Sequence, residues 1–260
     1  MRERKVFKIG KERIFMPDLN NKLILICIIS LVIGIGIGFY LSGIFQVQKQ
    51  EITQQEASVQ EVEKNSITMV VPAVDKFGNG TVAELTTTIR PGNGLVLVNI
   101  NNVIADYDTQ LSARLAANVA SNFTNISLKN IDVMFSIKTN ADFIGGPSAG
   151  AAMAASVIIL LENKTLNKNV SITGTILQDG NIGEAGAIVE KAKACEKAGL
   201  KILLIPKGCF VDGKYIREKR CSMLNNTEYC EIKYKATDQD LKIKLVEVSN
   251  ISEALSYLEK

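Results

Sequence analysis

From residue 66 onward the sequence predicts an α/β (α+β) domain of mixed strands and helices, preceded by one transmembrane helix. Three observations carry that expectation. Short β-branched runs set off by Gly, Pro and Asn are interspersed with Ala-rich stretches of helical length. Residues 23–45 form a 23-residue run without a charged side chain. The composition, 47% hydrophobic and 22% charged over 260 residues, supports a packed core and excludes a wholly disordered chain.

The first 22 residues are a basic tail, Arg2, Arg4, Lys5, Lys8, Lys11, Arg13 and Lys22 outweighing Glu3, Glu12 and Asp18. The uncharged run 23–45 follows, and as a helix it would reach across a hydrocarbon core of about 30 Å. It is longer than the apolar region of a cleaved signal peptide and lacks a small-residue cleavage site. Lys49 and Lys64 are the only basic residues of segment 46–65, so the positive-inside rule places the N-terminus in the cytoplasm and the remaining chain outside the cell membrane. Sequons at Asn79, Asn122, Asn125, Asn225 and Asn250 are compatible with that face. Gly34 and Gly38 form one GxxxG pair that would let helices approach. Residues 46–65, rich in Gln and Glu, read as a polar linker or stalk.

Within 66–260, strands are expected at Ile67–Val74, Gly94–Ile100, Ile131–Ile137, Val170–Leu177, Ile202–Ile205 and Lys244–Val248. Helices are expected at Leu111–Asn122, Pro147–Leu161, Ala187–Ala198 and Ile251–Leu258. The second of these has almost no polar face and should be buried.

The chain contains no histidine, which excludes Ser-His-Asp triads, Cys-His dyads and His-ligated zinc within it. Acid–base chemistry must then rest on a carboxylate, lysine, tyrosine or cysteine. The five cysteines form no CxxC pair, and the net charge of +3 comes without a basic block in the folded part. No cofactor, metal ion or nucleic-acid partner is therefore expected.

Two places break the local rules. Gly145-Gly146-Pro147-Ser148-Ala149-Gly150 is a small-residue turn entering the buried helix. Unpaired N–H groups there would serve a capping serine, a phosphate or an oxyanion. Lys191 is the second: on a helical wheel Glu190, Lys193, Glu196 and Lys197 share one face, while Lys191 falls among Ile188, Ala192, Ala194 and Cys195. A lysine so placed is either a base with a lowered pKa, a side chain snorkelling past the helix end, or a structural ion pair.

Together, GGPSAGAAMAASVIIL and SITGTILQDGNIGEAGAIVEKAKACEKAGLKILLIPKG resemble the Lon (S16) protease domain, most strongly over 131–208. That family carries a Pro-Ser-Ala-Gly nucleophile motif, an Ile-Thr-Gly strand and a Gly-rich segment ending Glu-Lys. The resemblance implies a Lon-protease-like fold and a catalytic Ser–Lys dyad, with Ser148 as nucleophile, Lys191 as general base and Thr173 positioning the lysine. Gly146, Pro147 and Ala149 are the candidates for the nucleophile turn and oxyanion hole. It also implies polypeptide substrates and a homo-oligomeric, hexameric ring.

Departures are visible as well. Gly145 stands where the family usually has an acidic residue, and Glu184-Ala185-Gly186-Ala187 replaces Pro-Ile-Gly-Gly. Residues 209–240 form an insertion with Cys209, Cys221 and Cys230, which leaves open one bridge in an oxidising compartment without fixing which pair would form it. No GxxxxGK[ST] motif occurs, so the chain is similar to membrane-anchored, ATPase-free Lon-like proteases and is expected to cleave unfolded or flexible chains without ATP. Two other readings of the same fold are a catalytically idle peptide-binding scaffold and a phosphate-binding, small-molecule-kinase-like enzyme.

Overall fold

The computed structural model describes residues 26, 28–44, 46, 49, 65–99, 104–139, 143–144, 146–211, 214–224, 227–237 and 241–260. The basic tail, Gly145 and most of the linker lie outside them. The chain divides into two units, 1–59 and 60–260.

In the first unit, residues 28–44 form helix α1, apolar all round, with Leu31, Val32, Phe39 and Tyr40 among its exposed side chains. Among the described residues no helix is long and apolar enough to cross a membrane. Residues 23–25 and Phe45, at the ends of the expected span, fall outside the described set.

In the second unit the elements run β1 (Ser66–Val74), β2 (Gly80–Pro91), β3 (Val96–Asn99), β4 (Ile104–Ala105), α2 (Tyr107–Thr124), β5 (Ile131–Lys138), β6 (Phe143–Ile144) and α3 (Gly150–Leu161). There follow β7 (Val170–Ile172), β8 (Thr175–Ile176), β9 (Ile182–Gly183), α4 (Ile188–Lys197) and β10 (Ile202–Pro206). The chain closes with β11 (Phe210–Val211), β12 (Tyr215–Leu224), β13 (Thr227–Ala236), β14 (Lys244–Val248) and α5 (Ile251–Leu258). The mixed α/β architecture is the expected one.

A four-stranded sheet, β1-β2-β5-β3, separates two apolar cores. Because side chains alternate across a strand, β1 sends Met69 and Val71 to one core and Val70 to the other, and β2 divides Ala83 and Leu85 from Val82 in the same way. The first core is built around α3, whose residues Gly150–Leu160 are all buried. The second is built around α4, where Ile188, Val189, Ala192 and Cys195 meet Leu203, Ile205 and Ile216. A parallel sheet, β14-β10-β7, runs beside them.

Three differences from the sequence expectation matter to the site. Strand β2 was not anticipated, because its Thr-rich sequence lacks the apolar run that marks a buried strand. Its inward Thr87 is fully buried and shares a 2.7 Å hydrogen bond with Ser156 of α3, which satisfies both hydroxyls. The expected single strand Val170–Leu177 is two strands interrupted at Thr173-Gly174. Helix α2 begins at Tyr107, four residues before the expected Leu111, because Asp106 caps it by accepting the Thr109 N–H at 2.8 Å. The insertion 209–240 supplies the antiparallel sheet β11-β12-β13.

Candidate active site

The nucleophile turn is held by backbone hydrogen bonds on several sides. Pro147–Ala149 form a 3-10 turn that opens onto α3, and Gly146 before them lies at φ 93°, ψ 154°, a region essentially restricted to glycine. At the break between β7 and β8 the strand's groups are diverted to the turn. The Gly174 N–H donates to the Ser148 carbonyl at 2.8 Å, and the Ala151 N–H donates to the Gly174 carbonyl at 3.0 Å. The Thr173 N–H donates across to Leu204 of β10 at 3.0 Å, tying the break to the parallel sheet.

Helix α2 grips the turn from the other side. One carboxylate oxygen of Asp106 accepts from the Thr109 N–H and hydroxyl, and the other accepts the Gly146 N–H at 2.8 Å. Burial pushes the Asp106 carboxyl up, but these hydrogen bonds outweigh it and hold the group below its ordinary value. Asp106 is absent from the sequence-derived candidates. The legible signal was an Asp three residues before Thr109, masked because Tyr107–Gln110 lack apolar periodicity.

Two of the three oxyanion candidates, Gly146 and Pro147, have no free N–H in this arrangement. Pro147 has no N–H, and the Gly146 N–H is committed to Asp106, so neither offers a donor to an oxyanion in this arrangement. The first N–H groups of α3 are also used, Gly150 donating to Pro147 and Ala151 to Gly174. Ser148 is not a helix cap: the cap position is Ala149, and no side chain bonds there.

Ser148 instead meets Lys191. The Lys191 Nζ donates to Ser148 Oγ at 2.7 Å and to Thr173 Oγ1 at 3.1 Å. Ser148 comes from the first core, Lys191 from the second, and Thr173 from the strand break between them. Lys191 is 3% exposed, so it does not snorkel, and none of the ion pairs among the described residues involves it. Burial lowers its pKa from 10.5 to about 8, while the Glu218 carboxylate and, less strongly, Cys195 oppose that fall. An ammonium there donates to both hydroxyls.

Among the described residues the free thiols, Cys195 and Cys209, do not compete as nucleophiles. Burial pushes Cys195 up to about 12 and Cys209 up to about 11. Cys221 and Cys230 face each other across β12 and β13 and are disulfide-bonded. Among the described residues no group of three or more Cys, Asp or Glu side chains converges to hold a metal ion. A cleft of about 500 Å³, lined by Asn122, Asp179 and Asn250 among others, contains none of the three site residues.

The model of the Lon protease (S16) C-terminal proteolytic domain matches residues 50–233, well over half of the chain and all three of these side chains. This chain belongs to that family. Family members are serine peptidases. Curated relatives include the Lon proteases of Rickettsia typhi, 32% identical over 129 residues, and Rickettsia prowazekii, 32% identical over 142 residues. Those matches cover 50% and 53% of this chain but only 16% and 17% of the relatives. The archaeal Lon protease of Archaeoglobus fulgidus is 24% identical over 179 residues, covering 68% of this chain and 25% of the relative. The S16 domain here is thus matched to a fraction of each relative's length.

Proposed function

We propose that this S16 domain is an ATP-independent endopeptidase that hydrolyses peptide bonds in unfolded or flexible polypeptides through a Ser148–Lys191 dyad. The observation that carries the reading is a buried lysine amine 2.7 Å from a serine hydroxyl at the mouth of a glycine turn. Neutral Lys191 takes the Ser148 proton as Oγ bonds to the peptide carbonyl carbon, giving a tetrahedral oxyanion. As the intermediate collapses, Lys191 returns that proton to the leaving amine and an acyl-serine remains. Water, deprotonated by the same amine, then releases the second product and regenerates the hydroxyl. Thr173, by accepting from Nζ, aims the amine at Oγ.

With a pKa of about 8, roughly one lysine in ten is neutral at pH 7. Activity should climb about tenfold per pH unit toward 8 and level off above it.

Anchoring through 23–45, with the N-terminus cytoplasmic and the peptidase outside, is part of this reading. It is supported by the uncharged run, the seven basic residues before it, the apolar surface of α1, and a disulfide that suits an oxidising compartment. Assembly into a homo-oligomeric ring carries over from the family resemblance.

The deciding experiment uses the full chain in detergent, casein as unfolded substrate, and no ATP. Wild type should cleave, and Ser148→Ala and Lys191→Ala should each lose at least about 1,000-fold in kcat, because both act on one proton transfer. Cleavage that survives Ser148→Ala sinks the dyad.

A further inference from the structure

The insertion 209–240 places a carboxylate at the start of the helix that carries Lys191. Along β12 the side chains alternate, and Ile216 and Glu218, on one face, are both buried. Ile216 is fully enclosed in the second core with Ile188, Val189 and Ala192 of α4. The base of the hairpin is pinned further by the Arg217 N–H, which donates to the Cys209 carbonyl at 2.7 Å, and by an ion pair between Lys235 of β13 and Glu190 of α4.

Helix α4 begins without a local cap. Its cap residue, Ala187, sits at φ 54°, ψ 41° and has no side chain able to bond the first turn. Glu218 fills that role from a distance of 30 residues, its Oε1 accepting the Ile188 N–H at 3.1 Å. A buried carboxylate needs compensating positive charge. Here the compensation on hand is the helix N-terminus and the amine one turn further on. The groups whose charge bears on Lys191 are Glu218 from the hairpin and Cys195 from its own helix.

We propose that Glu218 is a positioning residue for Lys191: it caps the helix that carries the amine and faces that amine with a fixed negative charge. The inference rests on the dyad reading above. Without Glu218, burial acts on Lys191 unopposed, and the amine releases its proton at lower pH. The insertion thereby sets the pH at which the base is armed.

The test follows Lys191 directly, by NMR titration of full-length protein labelled with ¹³Cε-lysine in detergent. The Lys191 signal is the one missing from Lys191→Ala. In Glu218→Gln, which keeps an acceptor for Ile188 but removes the charge, the Lys191 midpoint should fall by about one unit or more. Glu218→Asp, which keeps the charge but withdraws it by one methylene, should fall by less. It also supplies the measurement should the amide variant fail to fold. Lys219→Gln, a change of charge equal in size and opposite in sign on the exposed face of β12, should leave the midpoint in place.

On casein the acid limb of kcat/KM should move with the NMR midpoint, raising the rate of Glu218→Gln about tenfold at pH values well below it. A Lys191 midpoint unchanged in both Glu218 variants overturns the proposal. So does a shift equalled by Lys219→Gln. Casein cleavage persisting in Ser148→Ala is a different result, which fails the dyad reading itself and leaves the NMR comparison standing.

Discussion

The two halves of the dyad are held in different ways. Ser148 sits in a turn whose backbone is tied to Gly174 of the strand break and to Asp106 of α2, ahead of a helix buried along almost its whole length. Lys191 sits on an amphipathic helix with no cap of its own, seated on the second core and closed over by the hairpin insertion. The proposed nucleophile is positioned through hydrogen bonds to the backbone of its turn, from Gly174 and from the Asp106 carboxylate. The base depends on side chains brought from far along the chain. Chemistry explains the asymmetry: a nucleophile needs a fixed direction, whereas a base needs a tuned pKa, which only surroundings supply.

The nucleophile side is broken by removing the carboxylate that ties its turn to α2. In Asp106→Ala the Gly146 N–H loses its partner and α2 loses its cap. Casein kcat should fall about 100-fold from misplacement of Ser148. The same change should lower unfolding stability by about 1–2 kcal/mol in urea titrations. A variant as active as wild type would show that the strand break alone holds the turn.

On the base side the expected change is opposite in sign for stability. Lys191 has a folded pKa of about 8 against 10.5 for the free side chain, so the unfolded chain binds more protons between those values. The lysine therefore costs stability below pH 8, and that cost disappears as pH rises toward 10.5. Lys191→Met should abolish cleavage yet stabilise the protein by about 3 kcal/mol at pH 7, with the gain vanishing by about pH 10.5. Equal stability of the two proteins across that range would show that the amine is not held at an electrostatic cost.

The smallest effect on activity should come from the far end of the hairpin. Cys221 and Cys230 are exposed and close a loop of sequence separation 9, whereas Ile216 and Glu218 pin the base of the hairpin. Replacing both cysteines by serine should cost no more than about 3 kcal/mol in thermal unfolding. It should leave the pH profile on casein within about twofold of wild type. A shift of the acid limb would mean that the disulfide, and not the packing of Ile216, seats Glu218.

Much of this was legible in the residues. The absence of histidine confined base chemistry to a few side-chain types, and a lysine on an apolar helical face is conspicuous because burying an ammonium is costly. The buried helix α3 and the strands β1, β5, β10 and β14 follow from unbroken apolar or alternating patterns. Strand β2 was illegible because threonine reads as polar until Ser156 answers Thr87 across the core. Asp106 and Glu218 were illegible for a related reason. Each is an ordinary acidic residue in a polar stretch, and its importance lies in one N–H supplied by a segment remote in sequence, Gly146 for one and Ile188 for the other.

The sequence by itself determined which groups could do chemistry, since side-chain identity and helical periodicity are local properties. Tertiary structure alone decided that Ser148, Thr173 and Lys191 converge, that the Gly146 N–H is already occupied, and that a carboxylate from the insertion accepts the first N–H of the helix carrying Lys191. Hydrogen bonds and Coulomb forces act over a few ångströms, and only the packing of two cores on one sheet brings residues so far apart in the chain within that reach.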